Sequence, residues 1–212
     1  MTLFTRHYKD KKLIEVSMDE IETLINDSQN KELIADYVYQ RLYNRFLKIF
    51  DFKTDQQDNY TKGTKVEKRN VFNEEYKNGF LIMTSCSLLI ETFASFLVGH
   101  NKTPNGQSTD MFNKVFEYAE TKGNGLKVFK NGKFYSYIRC GLLHQGETYG
   151  KFIITRKGSD LYKDDTINAN IFLNSLNKLL DSYRLDLINL KWDSKEWDAC
   201  RMKIRHIISN AK

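Results

Sequence analysis

The chain carries one proline, Pro104, in 212 residues. Proline locks φ, lacks a backbone donor and breaks helices, so a chain nearly free of it has few obligatory stops between its apolar repeats. A mostly helical fold is expected. The 14 Phe and 12 Tyr supply the bulky side chains that disordered segments lack. The length fits one domain, or one domain with an extension.

Charge and cysteine usage narrow the setting. The 33 Lys and Arg exceed the 27 Asp and Glu, a net charge of +6, which suits a polyanionic partner. Cys86, Cys140 and Cys200 are scattered and odd in number, so neither a disulfide framework nor a zinc site is expected. A reducing cytoplasm is the natural compartment. The first ten residues lack an apolar run, so no signal peptide is expected. The stretch Gly79 to Val98 has the length of a membrane span. It carries Glu91 well inside, with Thr84, Ser85, Ser87, Thr92 and Ser95, and is expected to be a core helix because a carboxylate is costly in lipid. No cofactor or metal is expected: His7, His100 and His206 lack local ligand companions, and Lys122-Gly-Asn-Gly125 lacks Walker spacing.

Start and stop signals divide the chain into helices. Ser17-Met-Asp-Glu20 is a capping box that should open a short helix. Asn30 can cap a second helix to about Phe50, with Leu33, Ile34, Tyr37, Val38, Arg41, Leu42, Arg45 and Phe46 at helical spacing. Residues 51–70 read as a polar loop with a basic run at Lys62, Lys65, Lys68 and Arg69. Asn73 is expected to cap the longest helix, which ends near Gly99. After the turn at Thr103-Pro-Asn-Gly106, a helix starts at Ser108 and carries Phe112, Val115, Phe116 and Ala119. Another helix runs from about Phe134 to Gln145, stopped by Gly146 and Gly150. Lys151 to Thr155 is the one convincing strand, with a weak partner at Asp160 to Tyr162. Thr166 can cap a helix to about Leu187, and Ser194 a last helix to about Ser209, seated by Trp192 and Trp197. Phe93, Phe96, Phe112 and Phe116 read as core. The sum is an all-α bundle with at most a small β-hairpin near residues 151–162.

One segment concentrates chemistry: Tyr137-Ile-Arg-Cys-Gly-Leu-Leu-His-Gln-Gly-Glu-Thr148. It places a guanidinium (Arg139), an imidazole (His144) and a carboxylate (Glu147) close together in sequence. An Arg to hold phosphate and a His to move a proton suffice for RNA cleavage without a metal. Residues five apart on a helix lie about 140° around its axis, so Arg139 and His144 do not share a face. His144 and Glu147 do, if the helix continues that far. Two copies facing across a dimer axis would bring two Arg and two His into one groove. On residues alone the structural reading is favoured over catalysis: an ion pair of Arg139 with Glu91 or Glu147, and a hydrogen-bonded helix histidine at His144.

The string Arg139-Cys-Gly-Leu-Leu-His144 resembles the Arg-x4-6-His signature of the HEPN domain family. The longer string from Tyr137 to Glu147 is similar to one bacterial and plasmid-borne subgroup, as is Leu88-Leu-Ile-Glu-Thr-Phe-Ala-Ser-Phe96 to the helix beside the motif there. The resemblance covers roughly residues 73–190. It implies a HEPN-like up-and-down bundle over 71–190. Residues 1–70 then form an N-terminal helical extension and basic loop packed on the same domain, and 191–212 a C-terminal helix. It further implies a homodimer through the motif helix, and a metal-independent endoribonuclease of the toxin or anti-phage kind, with RNA or nucleotide as ligand. An antitoxin or nucleotidyltransferase is then a natural partner. Arg139 would bind the scissile phosphate and His144 act as general acid or base, leaving a 2′,3′-cyclic phosphate and a 5′-hydroxyl. The pattern departs at Cys140, where active members usually carry a polar residue and a thiol bonds weakly. Glu91 and Glu147 are candidate substitutes, Arg139 is the expected partner of Glu91, and Tyr137 lines the cleft or packs. The departure keeps two alternatives open: a non-catalytic HEPN dimer that binds RNA or nucleotide, and a helical interaction partner.

Overall fold

The computed structural model describes residues 2–50 and 78–211. The chain opens with a β-hairpin, β1 (Leu3–Lys9) and β2 (Lys12–Ser17), followed by α1 (Met18–Leu24) and α2 (Lys31–Phe46). Then come α3 (Gly79–Val98), α4 (Ser108–Thr121), a 3-10 turn (Gly125–Phe129) and a π-helical turn (Phe134–Arg139) that runs into α5 (Cys140–Gln145). Short strands β3 (Ile153–Thr155), β4 (Tyr162–Lys163) and β5 (Thr166–Asn168) lead into α6 (Ala169–Asn189) and α7 (Lys195–Ser209).

Helix α3 is the hub and packs against α2, α4, α6 and α7. It is apolar nearly all round, and such a helix belongs in a core. Ile82, Met83, Cys86, Leu89, Ile90, Phe93, Ala94 and Phe96 are buried, so this stretch, long and apolar enough for a membrane span, is the central core helix. Asn78 starts it by accepting the Phe80 and Leu81 amides. Gly99 ends it at φ 76°, lying close against Ala199 of α7. Burying a side chain such as Phe93 is worth about 1.5–3 kcal/mol. Phe93 also meets Tyr118 of α4 and Tyr183 of α6 edge-on, and Phe112, Phe116, Phe134 and Phe172 extend this core. Both ends of the chain share it: Phe4 of β1 and Trp197 of α7 are fully buried, and the Trp197 indole donates to the Leu187 carbonyl at 2.8 Å.

The fold is mainly α, but with more sheet than expected. The N-terminal extension begins with the β1–β2 hairpin rather than a helix. From Thr5 to Tyr8 buried and exposed residues alternate, Asp10 and Lys11 turn at φ 49° and 64°, and Arg6 pairs with Glu15 across the strands at 3.2 Å. Charged residues on the open face and an Asp-Lys turn in place of Asn-Gly hid this signal. The second sheet is not a hairpin near 151–162: β3 pairs parallel with β5, and β4 pairs antiparallel with β5.

Helix boundaries shifted where a stronger cap competes. Thr166 lies in β5, and Asn168 caps α6 instead. The carbonyl oxygen of the Asn168 side chain accepts the Asn170 and Ile171 amides while its Nδ2 donates to the Lys157 and Gly158 carbonyls. Helix α2 stops at Phe46, and residues up to Phe50 form a 3-10 turn. Asn78 caps α3; the expected cap Asn73, the basic run at 62–69 and the boundary near residue 70 lie outside the described residues. Ser17 caps α1 through the Glu20 amide and Ser194 caps α7 through that of Trp197, both as the sequence indicates.

Candidate functional site

The motif segment is not one straight helix. Its first half is a π turn, in which the Cys140 amide reaches five residues back to the Tyr135 carbonyl. Such turns are often sited at functional positions. The Tyr137 carbonyl accepts the Tyr149 amide at 2.8 Å, tying the chain beyond α5 back onto the motif. Gly146 caps α5 at φ 71°, with its amide on the Leu142 carbonyl at 3.2 Å. Gly141 lets the returning chain come close: a Cβ there would lie 2.3 Å from the Glu147 carbonyl oxygen.

Arg139 is held by Glu91 of α3 and by Tyr135 of its own turn. Its Nη2 donates to Glu91 Oε2 on α3 at 2.9 Å, and its Cζ lies 5.4 Å from the Tyr135 ring centroid. Thr103 donates to the other Glu91 oxygen at 3.3 Å. Burial pulls the guanidinium pKa down, but the Glu91 hydrogen bond and charge outweigh it, so the net shift is upward. Arg139 is thus a fixed, permanently charged cation. Its Nε is buried without a hydrogen-bond partner.

His144 sits in the last turn of α5, exposed, with no side-chain hydrogen bond or ion pair among the described residues. Glu147 is exposed too, but α5 ends at Gln145, so the shared helical face expected for His144 and Glu147 does not form. Glu147 instead places its amide 3.4 Å from the Gly141 carbonyl, past the cap. Cys140 is half-buried. Tyr137 is half-buried and meets Phe152 edge-on at 5.9 Å, with Lys133 Nζ 4.9 Å from its ring centroid.

The structure therefore joins Arg139 to Glu91 and leaves His144 open to solvent. Tyr135, Thr103 and Gly141 belong to this site as well. Gly141 stood in the motif, and Tyr135 lies one turn before Arg139, so both carried a local signal. Thr103 did not, because its position depends on how the turn after α3 folds back. The arrangement offers a fixed cation and an exposed imidazole. Among the described residues, no three of His, Cys, Asp and Glu gather closely enough to hold a metal ion. No protein-family model matches the chain, and neither the curated proteins nor the solved structures compared with it yield a match.

Proposed function

We propose that the chain is a HEPN-type, metal-independent endoribonuclease acting as a homodimer through the motif segment. One observation carries this reading: Arg139 is fixed as a cation by Glu91 of the core helix, while His144, at the end of the same segment, is left open to solvent. A structural arginine–histidine motif would be expected to engage both side chains. The motif's resemblance to the Arg-x4-6-His signature supplies the reaction class.

In the proposed reaction a ribose 2′-hydroxyl attacks the adjacent phosphorus. His144 accepts the 2′ proton as that bond forms, and the bond from phosphorus to the 5′ oxygen breaks. The leaving oxygen takes a proton from the second His144 of the dimer. The products are a 2′,3′-cyclic phosphate and a 5′-hydroxyl. Arg139 balances the charge that builds on the non-bridging oxygens, a task suited to a guanidinium already held in place. The dimer is part of the proposal and has this support: Arg139 is held against α3 and His144 is open to solvent, so a partner's motif would add the second wall of a groove. Leu88, 39% exposed and one turn before Glu91, supplies apolar surface beside it.

Cys140 favours a second reading, a HEPN dimer that binds RNA or nucleotide without cutting it. Incubation of total RNA with the protein in EDTA separates the two. The endoribonuclease shortens RNA, and Arg139→Ala and His144→Ala abolish this. Full cleavage by a folded His144→Ala variant would remove the catalytic reading.

A further inference from the structure

The motif segment also borders a cleft that Tyr137 lines and Arg139 does not. It is enclosed by the Gly125–Phe129 turn, the π turn, the Gly150–Phe152 chain and β4, with a volume of about 480 Å³. That is within the roughly 300–1,000 Å³ range of ligand clefts. Aromatic rings form its walls: Phe129, Tyr137, Phe152 and Tyr162. Phe152 and Tyr162 are stacked at 6.1 Å. Two exposed lysines, Lys133 and Lys151, also line it, and the single acid, Asp165, lies against Tyr162, whose hydroxyl donates to it at 2.9 Å.

The Tyr137 ring lines this cleft and is covered on one side only by an exposed lysine. Gly150 lies against one side of it, at φ 67°, where an added Cβ would come within 2.9 Å of the ring. An exposed lysine covers the ring from another side: Lys133 Nζ is 4.9 Å from the ring centroid and 3.3 Å from the hydroxyl. A base stacked on an aromatic ring is worth more than a cation–π contact at an exposed site, so a base can displace this lysine. The displaced ammonium stays beside the cleft, where a phosphate would sit. The Asp165 carboxylate repels phosphate and accepts hydrogen bonds from a base amino group, so it fits the base end of a nucleotide rather than the backbone end.

We infer that this cleft takes one unpaired base of a bound RNA strand, stacked on Tyr137, with Lys133 and Lys151 on the flanking phosphates. The inference rests on the reading of this chain as an RNA-binding HEPN protein and adds to it a preference for single strands, since a paired base cannot leave its stack without cost. Tyr137 is then a positioning residue that sets where the strand runs past His144.

The test measures binding of a labelled 12-nucleotide single-stranded RNA, and of the same strand made fully abasic, to the full chain carrying His144→Ala to suppress cleavage. Adding Tyr137→Leu should weaken binding of the normal strand roughly tenfold, Tyr137→Phe should restore it, and the abasic strand should not distinguish the three. Equal binding of the normal strand by the Tyr137→Leu protein and its parent, or an equal loss on both strands, overturns the inference. Should Tyr137→Leu fail to fold, Lys133→Ala with Lys151→Ala replaces it. That pair should lower the slope of log affinity against log salt by roughly two, and an unchanged slope overturns the phosphate assignment. Cleavage by the wild type in EDTA, run beside these, separates the failures. Cleavage without a Tyr137 effect removes the base cleft alone. A Tyr137 effect without cleavage removes the nuclease alone. A parent that binds neither strand removes both.

Discussion

Gly141→Ala tests the local geometry of the motif. In a helix this exchange normally stabilises by about 0.5–1 kcal/mol, because glycine loses more backbone freedom on folding. Here the new methyl would lie 2.3 Å from the Glu147 carbonyl oxygen, 3.2 Å from the Tyr149 amide nitrogen and 3.3 Å from the Thr148 Cα. All three are backbone, which cannot rotate away, so the 147–149 chain must retreat by about an ångström. Overpacking of this kind costs about 1–3 kcal/mol. The retreat also strains the Tyr149 amide bond to the Tyr137 carbonyl, now 2.8 Å, whose loss adds about 1 kcal/mol. After the propensity gain, the net loss is about 2 kcal/mol, or about 4–8 °C in Tm for a chain of this size. Thermal unfolding followed by calorimetry reads it directly. A Gly141→Ala protein that melts at or above the wild-type temperature refutes the close approach, since only the propensity gain would then remain.

Asn168→Ala removes both a helix cap and the two hydrogen bonds that Nδ2 donates to the Lys157 and Gly158 carbonyls, for an expected loss of about 1–3 kcal/mol by chemical denaturation. Asn168→Asp, which keeps the cap, should recover part of that loss; no recovery counts against the double role. A double-mutant cycle of Glu91→Ala and Arg139→Ala should show a coupling of about 1–3 kcal/mol, and strict additivity would contradict the ion pair. Burial, with the nearby Lys9, lowers the His7 pKa below its ordinary 6.5. The unfolded chain therefore takes up this proton first as pH falls. Stability should drop as pH passes below about 6.5, and His7→Gln should flatten that part of the curve; an unchanged curve would contradict the buried neutral imidazole. Cys86 is fully buried with its thiol pushed far up, and burial also pushes Cys200 up to about 12, so a thiol reagent at neutral pH should modify Cys140 alone in the native protein.

Much of the helical scaffold was legible because its signals are local. Ser17 and Ser194 sit three residues before the amides they cap, and the phenylalanines of α3 and α4 recur at helical spacing. The expected Glu91–Arg139 pair was legible for a different reason. A carboxylate inside an apolar helix requires a partner, and the nearest unassigned cation of the motif was Arg139. The parts that escaped depend on contacts distant in sequence. Thr166 and Asn168 are both good caps, and the choice fell to Asn168 because the Lys157 and Gly158 carbonyls reach its amide group. Strands β3 and β5 pair in parallel across the length of β4 and its turns, which periodicity does not reveal. The π turn was hidden for the same reason: it is stabilised by the Tyr149 amide returning to Tyr137, a bond twelve residues long in sequence.

The most direct test of the proposed chemistry is mass analysis of the ends made when the wild type acts on a defined single-stranded RNA in EDTA, with Arg139→Ala and His144→Ala beside it. The account predicts 2′,3′-cyclic phosphate and 5′-hydroxyl ends from the wild type and from neither variant. Cleavage that survives His144→Ala, or products ending in a 3′-hydroxyl, would contradict it.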